Sequence, residues 1–240
     1  MNASAVSPAR IVLVPGFWLG AWAWDDVAAL LREQGHDVTA VTLPGLEPGH
    51  PSPGSVSLED HVAAIESAIA GDEPVVLVAH SGAASPAAVA IDRNVDRVAH
   101  SVWVDTAPVA DGAAMDASFV GESLSLEDRF DDEYADGSMR GLTDEQLAEF
   151  RRRAVPQPAG TVRDAARLSD GGRLDVPATI ICTAFPAAEY RSYAEQGVPF
   201  LAGVLEHRAL TMVDLPTGHW PMWSKPRELA ELIGQAASGA

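Results

Sequence analysis

Short apolar runs alternate along this chain with segments whose apolar residues recur every three or four positions. The runs Ile11–Val14, Val38–Leu43, Val75–Ala79, Ser101–Val104, Ala178–Thr183 and Ala209–Val213 read as strands. They are nearly continuous in apolar residues rather than alternating, as strands covered on both faces require. Between them, Trp24, Val27, Ala28 and Leu31 form one helical stripe, and Leu58, Val62, Ile65 and Ile69 form another. A last helix starts at Pro226, a residue suited to a first helical turn, and buries Leu229, Leu232 and Ile233. Strand and helix in regular alternation predict an α/β protein with a doubly wound, mostly parallel sheet.

The alternation breaks between Ala107 and Val176. This span holds Pro, Gly and acidic clusters and one clear helix, "TDEQLAEFRRRA". Thr143 and Gln146 have capping-box spacing there, and Leu147, Phe150 and Ala154 make the apolar edge. The pattern predicts a single domain over 1–240 with residues 107–176 inserted as a helical lid before the penultimate core strand. Such a lid would cover the carboxyl edge of the sheet, where α/β ligands bind. A chain of 240 residues, 47% of them hydrophobic, is long enough to bury the core this requires.

Charge narrows the partners. The net charge of −18 argues against nucleic acid, whose phosphates need a basic footprint. Between Asp111 and Glu149, twelve acidic residues face only two basic ones, so −10 of the total lies in the predicted lid. Cys182 is the one cysteine, in the apolar run "ATIICTAF", which leaves no disulfide framework and fits a reducing compartment. The first nine residues lack the apolar stretch of a secretory leader, and no apolar run approaches the roughly 20 residues of a membrane span. The expectation is a cytoplasmic monomer or homodimer with no membrane partner.

Chemistry enters at "VVLVAHSGAASPAAVAI", Val75 to Ile91, where a buried strand gives way to an Ala-rich helix. Ala79-His80-Ser81-Gly82-Ala83 is a G-x-S-x-G pattern with alanine at both outer positions. A tight strand-to-helix turn exposes the serine hydroxyl and needs small neighbours two residues to either side. The alternative is an ordinary serine helix cap. A nucleophilic serine needs a base, most often histidine. His36, His50, His61, His100 and His207 lack partner motifs, and His80 leaves the turn in another direction, toward packing. His219, in "VDLPTGHWPMWSKP", follows the last strand and comes last in chain order, where a Ser…acid…His hydrolase keeps its base. Acyl transfer also needs donors for the carbonyl oxygen. The Gly82 N–H is one candidate, and the Phe17 N–H, beside Gly16 in "IVLVPGFWLGAWAWDDV", is the second.

The segments "VLVPGFWLGAWAWDDVAALLREQGHDVTAVTLPG" and "GHWPMWSKPRELAELI" resemble the opening and closing of α/β-hydrolases, in the branch of plant methyl esterases and hydroxynitrile lyases. The similarity covers residues 10–106 and 177–235; the lid matches poorly. It implies Ser81 as nucleophile, His219 as general base, and Phe17 with Gly82 as oxyanion donors. The lyases carry a Lys directly after the catalytic His; Trp220 stands there here, which favours ester hydrolysis. Pro15 replaces the His that usually precedes the oxyanion-loop glycine, which predicts a stiffer loop. The branch's usual acid is missing: "TAFPAAEYRS" offers no carboxylate before Glu189. The superfamily also uses an acid at the end of the strand before the lid, and Asp105 in "SVWVDTAP" holds that place. Asp105 is the expected acid, with Glu189 as the alternative and Asp214 third.

Trp18, Trp220, Phe119 and Phe130 are the expected pocket walls. No H-E-x-x-H or His/Asp cluster points to a metal, and no glycine-rich phosphate loop points to a nucleotide, so no cofactor is expected. The resulting expectation is a serine hydrolase for a small, largely apolar ester or lactone. A lyase, cyclase or acyltransferase, or a non-catalytic small-ligand binder, remains open on the same fold.

Overall fold

A computed structural model describes residues 8–49 and 53–239; His50 lies outside the described residues. The strands are β1 (Arg10–Val14), β2 (Asp37–Ala40), β3 (Val75–His80), β4 (Val98–Val104), β5 (Ser123–Leu124), β6 (Gln157–Pro158), β7 (Ala178–Cys182) and β8 (Leu210–Asp214). Six of them make one sheet in the order β2-β1-β3-β4-β7-β8, and every pairing in it is parallel. The two-residue β5 and β6 pair antiparallel in the inserted segment. β2 is shorter than the expected Val38–Leu43. It is an edge strand whose sole partner β1 ends at Val14, and Pro44 next in line has no N–H to continue a ladder.

Alternation of side chains across the central strands divides the core in two. Ile11, Leu13, Val76, Val78, Val102, Val104 and Ile181 face one side, packed with Val27 and Leu31 of α1 (Asp25–Glu33) and Leu229 and Ile233 of the C-terminal helix. Val12, Val14, Leu77, Ala79, Trp103 and Ile180 face the other, against α2 (Leu58–Ile69) and α3 (Ala84–Arg93). This is why the central strands read as continuous apolar runs: both of their faces are covered, whereas the edge strands β2 and β8 are partly exposed.

Chain order reverses between β1 and β3. From β1 the chain winds outward to β2, then returns to pair β3 on the opposite side of β1. The loops leaving the carboxyl ends of β1 and β3 therefore diverge and open a crevice. The loop after β1 carries Phe17 and Trp18; the turn after β3 carries Ser81. Residues 107–176 lie between β4 and β7, with a capped helix (Asp144–Arg153) whose Thr143 and Gln146 form the reciprocal capping box.

Candidate active site

β3 runs buried up to His80, and Ser81 then turns the chain with φ of 51° into a 3₁₀ turn that leads into α3. That left-handed conformation is costly for a non-glycine residue. Two other non-glycine residues share it among the described residues, Trp18 (φ 68°) and Asp105 (φ 46°). Trp18 lies in the loop after β1, and Asp105 directly follows β4. All three strained positions thus sit at the same edge of the sheet. Close approach makes Gly16 necessary: a Cβ there would lie 2.8 Å from Ser81 Cβ and 2.7 Å from His80 Nδ1.

His219, in the loop after β8, meets Ser81 with Nε2 at 2.7 Å from Oγ. Its Nδ1 lies 2.5 Å from Asp105 Oδ2. An ionised carboxylate only accepts, so the proton sits on Nδ1 and donates to Asp105, leaving Nε2 free to accept from the serine hydroxyl. The other oxygen of Asp105 accepts from Thr183 N–H (3.1 Å), Ala184 N–H (3.0 Å) and the Tyr190 hydroxyl (3.0 Å). Burial by itself pushes the Asp105 carboxyl up; the bond and charge of His219 and the N–H donors outweigh it and hold the group below the usual carboxylate range. Burial likewise lowers His219, but the bond to Asp105 and its charge, with Glu133 and Asp136 further off, leave the imidazole raised above 6.5.

The other carboxylates are elsewhere. Glu189 sits on the exposed face of the helix Ala187–Glu195, where it accepts from the Tyr193 hydroxyl at 3.3 Å. Its neighbour Tyr190 is the residue of that helix that reaches Asp105. Asp214 accepts from Ala187 N–H at 2.6 Å.

Ser81 and His219 open onto a cavity of about 340 Å³. Phe17, Trp18, Phe119, Leu124, Val162 and Trp220 supply its apolar wall. Phe130 does not line it, and here the expectation is corrected. The short helix Phe130–Ala135 turns Phe130 into the core beneath the Arg151 guanidinium, 4.3 Å from the ring centroid. The cavity instead receives Arg129 and Glu133, four positions apart and so on one face of that turn. The ring of Phe17 lies against Gly82, where a Cβ would come within 2.3 Å of it. Neither the Phe17 N–H nor the Gly82 N–H is a donor in the hydrogen bonds of the described residues.

A model of the alpha/beta hydrolase family matches residues 11–232. The chain belongs to the α/β hydrolase family. Along its length it is similar to a carbendazim-hydrolysing esterase of Nocardioides sp. (strain SG-4G), 28% identical over 94% of this chain and 98% of the relative. It is also similar to methylesterase 3 of Arabidopsis thaliana, 26% identical over 95% and 96%. Among solved structures, an Arabidopsis methylesterase superposes with a TM-score of 0.73 at 19% identity, over 97% of this chain and 100% of that one. An extracellular α/β-hydrolase from a Paenibacillus species does so at 0.72 and 20%, over 96% and 99%. At such identity these two show the fold.

One residue of this hydrolase was underrated by sequence reasoning. His80 packs, as expected, but it also lines the cavity, and its Nε2–H donates to the backbone carbonyl of His219 at 2.7 Å. Burial first, and then the neighbouring His219, lower its imidazole to about 3, which leaves it neutral near pH 7. Adjacency to Ser81 in "AHSGA" was the only signal. Met115, Asp116, Arg129, Glu133 and Val162, between β4 and β7, carried none, because that segment has no periodicity to place them. No helix among the described residues is long and apolar enough to cross a membrane. No group of three His, Cys, Asp or Glu among them is arranged to hold a metal.

Proposed function

We propose that this α/β hydrolase is a serine esterase that cleaves a small, largely apolar carboxylic ester or lactone through an acyl-enzyme. The supporting observation is the unbroken relay from Asp105 through His219 to Ser81, opening on a cavity of about 340 Å³ with aromatic walls. Esterase names among the relatives support the same chemistry.

Ser81 Oγ attacks the ester carbonyl while His219 Nε2 takes its proton. The Phe17 and Gly82 N–H groups bind the oxygen as it becomes negative. Asp105 fixes the imidazole tautomer and stabilises the imidazolium. His219 then returns the proton to the leaving alcohol, and a water molecule, deprotonated by the same nitrogen, releases the acid. The cavity is near the small end of ligand sites, which run from about 300 Å³ upward. That limits the substrate to a compact ester. A cytoplasmic location belongs to the same proposal, supported by a lone cysteine held as a buried thiol.

Fluorophosphonate labelling combined with p-nitrophenyl acetate turnover tests it. Label on Ser81 with turnover, both lost in Ser81→Ala, is the expected result. Label without turnover on esters would move the assignment to another reaction on the same relay, and neither would leave a binding protein.

A further inference from the structure

Gln157 is a buried amide that the catalytic relay does not use. It lies in the inserted segment, in β6, and is 1% exposed. Its Oε1 accepts from the Trp18 backbone N–H at 3.2 Å, across 139 residues of chain. Its Nε2 donates to Thr161 Oγ1 at 2.6 Å, and the Thr161 hydroxyl in turn donates to the Pro158 carbonyl at 2.7 Å. The single Thr161 proton is committed to Pro158, so Thr161 presents a lone pair to Gln157 and demands its NH₂. The amide is thereby fixed with its oxygen toward Trp18.

Trp18 is held at two more points from the same segment. Val155 N–H donates to the Trp18 carbonyl at 3.0 Å, and the indole N–H donates to the Leu124 carbonyl at 2.9 Å. These bonds restrain a residue whose φ of 68° is unfavourable for a tryptophan. The Trp18 N–H shares a planar trans peptide with the Phe17 carbonyl, so fixing one turns the other the opposite way. Phe17 is clamped on its other side by the contact of its ring with Gly82. A leucine at 157 would fill similar space with no polar group to satisfy, but it would not hold the Trp18 N–H.

We propose that Gln157 is a positioning residue for the oxyanion loop: through the Phe17–Trp18 peptide it holds the Phe17 N–H where the substrate oxygen becomes negative. The proposal rests on the esterase assignment above. It makes the insertion a structural part of the oxyanion site and not only a wall of the cavity.

The test compares Gln157→Leu, Gln157→Glu and Thr161→Val with the wild type on p-nitrophenyl acetate, with Ser81→Ala as control. Gln157→Leu is expected to lower kcat by about 10- to 100-fold with KM within about twofold, the scale of a misplaced catalytic group. Binding of a trifluoromethyl ketone, which forms a tetrahedral adduct on serine, should weaken by the same factor. Gln157→Glu, with its buried carboxyl protonated, keeps an acceptor for the Trp18 N–H and an O–H for Thr161 Oγ1, and should recover most of the loss. Thr161→Val, which frees the amide to rotate, should show a smaller loss with the same pattern. Wild-type kcat in Gln157→Leu overturns the proposal, as does a loss that Gln157→Glu fails to relieve while its thermal transition stays intact. Should Gln157→Leu fail to fold, Thr161→Val decides alone by its kcat and ketone affinity. Full turnover in Ser81→Ala would instead remove the esterase assignment itself.

Discussion

Three non-glycine residues with positive φ, Trp18, Ser81 and Asp105, are the points at which the backbone gives up local comfort to aim a group at one place. Asp105 carries the clearest consequence. His219 is raised above 6.5 chiefly because the Asp105 bond and charge overcome its burial. The imidazole works as a base only when neutral, so kcat/KM should fall as pH drops through a midpoint above 6.5. Asp105→Asn removes the charge: the midpoint should move down, and kcat should fall by a factor on the order of 10⁴. Glu189→Gln should leave both unchanged, since that carboxylate faces solvent and Tyr193. Gly82→Ala tests the opposite wall. Its Cβ would meet the Phe17 ring at 2.3 Å, so the loop must move, and turnover should drop by at least tenfold with little change in helix content by circular dichroism.

At the scale of elements, one helix of the inserted segment, Asp144–Arg153, packs its apolar face against the aromatic side chains behind the site. Phe150 is fully buried, with its ring 5.0 Å from Trp220 and 5.1 Å from Trp223. Phe150→Ala should cost about 3–5 kcal/mol in denaturant unfolding and loosen the wall behind Trp220. Thr143→Ala at the start of the same helix removes one side-chain cap and should cost about 1 kcal/mol with activity retained. The difference separates an element that is locally well formed from one that the site depends on. The insertion also braces the loop that carries His219: Gly218 and His219 N–H donate to the carbonyls of Arg140 and Ser138, and Arg140 donates to the Thr217 carbonyl.

Across the whole molecule, charge is the property left to explain. The chain carries −18, and −10 of it falls between Asp111 and Glu149, the stretch that includes Asp116 and Glu133 on the cavity wall. An ester that bears its own carboxylate approaches against that field. Its kcat/KM should rise as salt is raised from 10 mM to 0.3 M, where the screening length drops from about 30 Å to under 10 Å. A neutral ester of the same size should show no such rise, and equal salt responses would mean that the acidic stretch does not reach the entrance. The hydrolysed acid is itself an anion, so the same field favours its departure.

The sheet was legible in the sequence because strands buried on both faces must be apolar at every position and helices between them must carry a stripe. Ser81 and His219 were legible because a strand-to-helix turn with small neighbours and a late histidine each leave a local mark. Asp105 was less so: its position after β4 marked it, but only the fold could bring it within 2.5 Å of His219, from 114 residues away. Phe130 and Glu189 show the limit. Both were plausible by residue type, yet the side of a short helix on which each falls depends on what the helix packs against. Arg129, Glu133 and Gln157 left no mark at all, since an irregular segment has no period from which facing can be read. By itself, then, the sequence determined the parallel sheet and marked Ser81 and His219 as candidates, because those follow from local patterning. The contact of Asp105 with His219, the makeup of the cavity wall and the tie from Gln157 to Trp18 were decided only by tertiary structure, because each joins groups that no local rule relates.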